Sequence, residues 1–385
     1  MKFSCLSNFI SNRNYSFDNI IEGLNLRMVT VGLNCNINSS SNRNDLLKNQ
    51  INSSDDPIDL LILGAGWTSN FLVPYIDNHT ELTYASTTRS GGGKFDSIRF
   101  DYRYDPSLRD EPEEMNRQLE TFRKLPYAKM VLITFPITED GGGENLLKLY
   151  SQTHRSKNLD VDGKGQRQVV DVIQLGSSGI YDGGPTVSAN PDEIKFFSDK
   201  DSPYIDRHSR FELTNPRARS ESELLSLNES DRFDGMKFRT TVLNLSGLWG
   251  DDRNIRNYVS KVAPSKDVLR NKTSVHMIHG LDVSRSIVRV FEKFHLAAGQ
   301  RWILTDGRVY DWWDLASAWG ESGLKDRLSD ITLGDQARWV RELMKETSVR
   351  TLPRTPNQLG RALDSLEFWS TFGISPVRAR LEFPS

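Results

Sequence analysis

Ile58-Asp59-Leu60-Leu61-Ile62-Leu63-Gly64-Ala65-Gly66-Trp67-Thr68-Ser69-Asn70-Phe71 is the stretch on which the reading of the fold turns. A short apolar run stops at two glycines and gives way to helical apolar spacing over 67–76. Such a run, bounded by glycine, reads as a strand buried on both faces, and hence as part of a parallel sheet. Working outward, strands are expected at 82–88, 97–100, 130–134, 169–175 and 239–245. Helical spacing falls between them at 112–125 and 144–154. Strands alternating with helices in this order imply a parallel sheet covered on both faces.

Upstream of residue 56 the character changes. Asn and Ser fill 21 of the first 55 positions, and no apolar period persists there. Such composition cannot bury enough surface to offset the entropy of ordering it, so 1–55 reads as a flexible extension. A targeting peptide is the alternative, but Asp18, Glu22 and a broken apolar run at 3–10 suit neither secretion nor organelle import. Cytoplasm is the default location, with targeting by the extension left open. Downstream of about 250 the strands thin out and aromatics accumulate, with six of the eight Trp beyond residue 300. The expected domains are therefore 1–55, 56–250 and a C-terminal lobe at 251–385, with one strand returning to the sheet near 301–305.

Composition excludes several classes. A net charge of −2 gives no footprint for nucleic acid or an anionic membrane, and no apolar run reaches the length of a spanning helix. Cys5 and Cys35 are the only cysteines, and both precede the first strand, so the folded body has no thiol nucleophile or cysteine metal site. The six histidines show no paired ligand spacing, and no metal is expected.

The turn at 64–69 carries the functional signal. Gly64 permits a tight strand-to-helix turn, and Gly66 lets the backbone approach a diphosphate. The following helix offers free N–H groups and a positive dipole end to that anion. Ser69 stands where a third glycine is usual, and it is small enough for close helix–strand packing. The competing reading is an ordinary glycine turn. The fold class is thus α/β: a Rossmann-type doubly wound parallel sheet with a smaller, mostly helical C-terminal lobe. The dinucleotide-contacting residues are expected to be Gly64, Gly66, Trp67, Thr68, Ser69, Thr88, Arg89, Phe135 and Pro136. An acid about 20 residues past the glycines would hold a ribose 2′-hydroxyl. Here Thr88 and Arg89 occupy that place, and no acid follows until Asp96. Arginine can face a 2′-phosphate, so NADP(H) is expected over NAD(H); a solvated surface arginine is the alternative.

From about Leu60 to the C-terminus the chain resembles the extended and atypical short-chain dehydrogenase/reductases, the NAD-dependent epimerase/dehydratase-like family. The glycine motif carries the likeness, together with Leu175-Gly176-Ser177-Ser178-Gly179-Ile180-Tyr181, Val242-Leu243-Asn244-Leu245-Ser246-Gly247-Leu248-Trp249-Gly250 and Ile278-His279-Gly280-Leu281-Asp282-Val283. The resemblance implies a serine that polarises the reacting oxygen, a tyrosine acting as general acid/base, and a lysine four residues later that lowers the tyrosine's pKa. Ser177 fits the serine position. At the tyrosine–lysine positions the best match is Asn215-Pro216-Arg217-Ala218-Arg219-Ser220-Glu221, which places Arg217 and Glu221 there. Arginine cannot serve as a base, and glutamate would raise the pKa of a nearby phenol.

Tyr181 remains as an alternative proton donor, so the candidate catalytic residues are Ser177 and Tyr181. Tyr204-x-x-x-His208 reads as surface structure in an Asp/Pro-rich loop. Asp282 reads as the cap of a helix beginning near Val283, with His279 in a supporting place. The Trp312, Trp313, Leu315 and Trp319 stripe reads as core, and the basic cluster at 338–354 as a solvated helix face. The expected function is an NADP(H)-dependent oxidoreductase or epimerase-like protein acting on a small carbonyl, hydroxyl or nucleotide-sugar-like compound. A non-catalytic NAD(P)-binding sensor or scaffold is the alternative. A small-molecule substrate is the expected partner, and the resemblance adds a homodimer through two helices, here 143–154 and 216–226.

Overall fold

The computed structural model describes residues 57–108, 111–154, 168–182, 202–233, 235–320 and 335–378. The expected extension at 1–55 lies outside them, as does most of the polar connection at 182–202. The first half of the fold runs β1 (Ile58–Leu63), α1 (Ser69–His79), β2 (Tyr84–Thr88), β3 (Ile98–Arg99), α2 (Pro112–Phe122), β4 (Ala128–Ile133), α3 (Gly142–Thr153) and β5 (Gln168–Ser177). It continues with β6 (Tyr204–Ile205), α4 (Pro216–Ser226), β7 (Met236–Leu245), β8 (Gly247–Trp249), β9 (Ser274–Val275), β10 (Met277–His279), α5 (Gly280–Glu292) and β11 (Arg301–Leu304). After these come β12 (Tyr310–Asp311), α6 (Trp312–Trp319), α7 (Asp335–Glu346), β13 (Ala362–Leu363) and α8 (Leu366–Phe372).

Seven strands form one sheet in the order β11-β7-β5-β4-β1-β2-β3, each pair parallel. The alternation within β1 shows why it sits at the centre. Leu60 and Ile62 face Leu72 and Ile76 of α1, with Val283 and Ile287 of α5 in the same cluster. Leu61 and Leu63 face the other way, into a cluster with Phe122 of α2, Leu146 and Tyr150 of α3 and Leu224 of α4. Each such side chain contributes roughly 1.5–3 kcal/mol on burial. Covered on both faces, the strand can afford no polar residue at these positions.

The chain leaves β1 for β2 on one side, and the next pairing, with β4, lies on the other. The C-terminal end of β1 is therefore the switch point of the sheet, where open α/β sheets form a crevice. This is a Rossmann-type, doubly wound α/β fold with a smaller, mostly helical C-terminal lobe. A third cluster organises that lobe around Trp249, Val259, Trp313 and Leu343.

Two expectations need correction. Asp282 does not cap α5. Helix α5 begins at Gly280, and the His279 imidazole accepts the Leu281 N–H at 3.1 Å as its N-cap. Asp282 is fully buried, where it accepts the N–H groups of Val377 and Arg378, both at 2.9 Å, and pairs with Arg285. It anchors the C-terminal segment onto α5. Nor is the 338–354 cluster uniformly solvated. Arg338 and Arg341 are exposed, but Arg354 is buried, forked onto Asp311 and stacked 3.9 Å from the Trp313 ring centroid. Of the Trp stripe, Trp313 and Leu315 are core, while Trp312 and Trp319 are half-buried.

Candidate functional site at the carboxyl edge of the sheet

The turn after β1 is held from two neighbouring strands. Gly64 N–H donates to Thr87 Oγ1 at 3.0 Å, and Ala65 N–H to the Thr87 carbonyl at 2.6 Å. From β4's side, Thr134 Oγ1 donates to the Leu63 carbonyl at 3.1 Å. Gly64 has φ +97°, and a Cβ there would lie 2.7 Å from Thr134 Oγ1. Only glycine fits both the dihedral and the space. Gly66 differs: a Cβ there would meet nothing within 4 Å, because its face is open. Among the described residues no backbone acceptor takes the N–H of Trp67 or Thr68, so the entrance to α1 presents free donors beside that opening. Ser69 is fully buried, as the close packing of α1 onto the sheet requires.

The opening is a cavity of about 270 Å³ between this turn and the loop after β2. Ala65, Gly66, Asn70, Thr88, Ser90 and Lys94 are among its lining residues. Arg89, the expected phosphate contact, is exposed and is not among them. Phe135 is half-buried beside Gly64, 3.2 Å from where that residue's Cβ would be, and Pro136 is exposed at the end of β4. On the far side of the turn, the 250–253 bend of the C-terminal lobe rests on α1. Asn70 Nδ2 donates to Asp251 at 3.0 Å, and the Arg253 guanidinium sits 4.5 Å from the Trp67 ring centroid.

The second part of the site is the end of β5. Ser177 is half-buried, and its Oγ accepts the Gly179 N–H at 3.1 Å, which caps the short turn Ser178–Tyr181. That bond leaves the hydroxyl proton of Ser177 available to another acceptor. Tyr181 points elsewhere. It is buried among Ile180, Ile205, Ala218, Ile303 and Leu363, and its hydroxyl has no hydrogen-bond partner among the described residues. Burial pushes its pKa up to about 12, with Arg301 opposing and Glu221 reinforcing the shift.

Glu221 is fully buried beneath Ser177. Its carboxylate accepts the Ser177 N–H at 3.1 Å and Asn244 Nδ2 at 2.7 Å, and it forms an ion pair with Arg301 of β11. Arg217 lies one turn before Glu221 on α4, 4.0 Å from the same carboxylate, and donates to the Leu175 carbonyl at 3.3 Å. A Cβ on Gly176 would strike Glu221 and Asn244, both at 2.6 Å, so the cluster is packed against the strand itself. The structure thus brings Ser177, Arg217 and Glu221 together, and both charged groups are engaged in holding the end of β5.

Lys94 and Arg253 escaped the sequence reading. For Lys94 the available signal was the run Gly91-Gly92-Gly93, which marks a backbone free to fold back toward the glycine turn. Arg253 carried no such signal, because its contact with Trp67 spans 186 residues of chain. Among the described residues there is no group of three or more His, Cys, Asp or Glu placed to hold a metal, and no helix long and apolar enough to cross a membrane.

With seven parallel strands and a glycine turn at the switch point, the molecule is of the Rossmann class. No protein-family profile and no curated protein matches the chain. Solved structures similar to it include a UDP-N-acetylglucosamine 4-epimerase from Bacillus cereus, at 10% identity and a TM-score of 0.44, covering 83% of this chain and 94% of that one. Gre2 from Candida albicans, solved with NADPH, is 14% identical with a TM-score of 0.45, covering 83% and 94%. MoeE5, solved with UDP-glucose and NAD, is 12% identical with a TM-score of 0.43, covering 83% and 93%.

Proposed function

We propose that the chain is an NADP(H)-binding oxidoreductase or epimerase-like protein, working on a small carbonyl, hydroxyl or nucleotide-sugar-like compound without a tyrosine–lysine proton relay. The observation that carries this reading is the glycine turn. Gly64 is demanded by the fold, whereas no described residue lies within 4 Å of where a Gly66 Cβ would be, and Gly66 faces a cavity beside the N–H groups of Trp67 and Thr68 just ahead of α1. A diphosphate fits that combination of an open backbone and a positive dipole end. Bound there, a nicotinamide dinucleotide supplies the hydride chemistry.

The chain's own contribution follows from the β5 end. Ser177 Oγ, already accepting from Gly179, donates its proton as a hydrogen bond to the reacting oxygen of the substrate. Glu221, Asn244 and Arg301 hold the backbone that carries Ser177. Gly66 and the N–H groups of Trp67 and Thr68 hold the diphosphate. In Ser177→Ala, turnover of NADPH with a panel of aldehydes, ketones and nucleotide-sugars should fall about 100-fold with unchanged NADPH affinity. Turnover that survives the substitution removes Ser177 from the mechanism.

A second reading, a non-catalytic NAD(P)-binding sensor or scaffold, is favoured by one observation. The residues at the tyrosine and lysine positions, Arg217 and Glu221, are bound up in holding the end of β5, so neither serves Ser177 as a proton relay. Tight NADPH binding with no turnover on any member of the panel selects this reading.

A further inference from the structure

The loop after β2 contains a built cationic position. Gly91, Gly92 and Gly93 all have positive φ, at +75°, +64° and +77°. A Cβ on Gly91 would lie 3.0 Å from that of Arg99, so the loop runs hard against β3. Gly92 and Ser97 then exchange two backbone hydrogen bonds, of 2.7 and 3.0 Å, which close the segment between them. Ser97 Oγ is buried 2.9 Å from Ser86 Oγ, fixing that closure to β2. Lys94 stands at the head of this closed loop. Its ammonium lies 5.1 Å from the Phe95 ring centroid and donates to Asn70 Oδ1 at 3.3 Å, across the mouth of the cavity.

We propose that Lys94, and not Arg89, selects for a phosphomonoester on the adenosine ribose of the ligand. This rests on the reading of the glycine turn as a dinucleotide site. The cavity is at the lower bound of small-molecule pockets, ~300 Å³, so it accommodates one end of a dinucleotide, not the whole. It lies between the turn and the end of β2, with Thr88 and Lys94 in its wall and Arg89 outside it. Among the described residues Lys94 forms no salt bridge; its polar partner is a neutral amide. An ammonium so placed exchanges a weak, long hydrogen bond for a charge-assisted one when a phosphate arrives. Asn70 is already held by Asp251, so its release of Lys94 leaves no unpaired carboxylate behind.

Calorimetric titration of the full chain with adenosine 2′,5′-bisphosphate and with 5′-AMP tests this without any turnover. The wild type should bind the bisphosphate about tenfold more tightly, the scale of one charge-assisted hydrogen bond. Lys94→Gln should abolish that ratio while leaving 5′-AMP binding and the thermal midpoint unchanged, and Arg89→Gln should leave the ratio within about twofold. A ratio lost in Arg89→Gln but kept in Lys94→Gln overturns the proposal and returns the role to Arg89. Equal binding of the two nucleotides by the wild type overturns it as well, with the dinucleotide site intact. If neither nucleotide nor NADPH binds, the reading of the glycine turn fails, and this inference fails with it.

Discussion

A methyl group added at Gly64 would lie 2.7 Å from Thr134 Oγ1 on a backbone at φ +97°, whereas the same group at Gly66 meets nothing within 4 Å. The two substitutions should therefore separate folding from binding. Gly64→Ala is expected to cost about 2–4 kcal/mol in chemical denaturation, from dihedral strain plus overpacking. Gly66→Ala should leave the denaturation midpoint where it is and weaken NADPH binding at least tenfold, because the methyl fills the space a diphosphate needs. Unchanged affinity in Gly66→Ala would show that the ligand does not touch the turn.

His276 offers a second residue-level test. Its Nε2 accepts the Leu363 N–H at 2.9 Å, and burial, with Arg361 nearby, depresses its pKa to about 3. The depressed value means the unfolded chain binds the proton more readily. The contribution is thus fully present above pH 6.5 and is lost as pH falls toward 3, the loss amounting to about 2 kcal/mol at pH 5. Asp306 works in the opposite sense, since burial raises its pKa to about 6. The test is therefore a difference: the stability gap between wild type and His276→Gln should shrink by about that amount between pH 7 and pH 5. A gap independent of pH would mean that His276 is not held neutral in the fold.

At the scale of elements, β5, α4, β7 and β11 meet at one carboxylate. Glu221 pairs with Arg301, and truncating one partner of a buried pair strands the other charge. Glu221→Ala should cost about 3–5 kcal/mol in denaturant unfolding. Removing both charges in Glu221→Leu/Arg301→Met should cost less than that single change. A single variant as stable as wild type would show that the carboxylate is not part of the lock.

The strands around this point are legible in the sequence because parallel strands are buried on both faces and so appear as mostly apolar runs; β1, β4 and β5 all lie where such runs stand, interrupted only at Asp59, Lys129, Asp171 and Gln174. What could not be read was any feature made by distant partners. The two-residue pairings of β6 with β13 and β9 with β12 join segments far apart in the chain, and neither has a periodicity of its own. Arg354 has the sequence context of one more charge on a basic stretch, and only the tertiary fold sets Asp311 against it. For the site, the turn and Ser177 announce themselves through local geometry. Lys94 does not, because its place depends on how three glycines fold. The N-cap of α5 is not legible, because capping by imidazole is rarer than capping by aspartate and Asp282 is the nearer familiar signal.

At the scale of the whole molecule, β11 comes from beyond the 250–299 segment yet pairs with β7 along Val242–Leu245. Phe294 and Trp302 belong to the same core cluster as Leu60 of β1. Calorimetry of the region from residue 57 to 378 should accordingly give one cooperative transition and not two. Ending the chain at residue 250 should yield aggregated protein, since it uncovers β7's edge and half of that cluster. A truncated chain that stays monomeric and folded would refute the coupling.

The late arrival of that strand shapes the molecule's birth on the ribosome. When β5 and β7 have already emerged and paired, the outer rim of β7 has no companion until roughly sixty further residues have been translated. For the seconds this takes at typical elongation speeds, a nascent chain shows a bare apolar ribbon to its surroundings. Holding chaperones would find it there, and a pause in translation downstream of residue 245 would lengthen their opportunity.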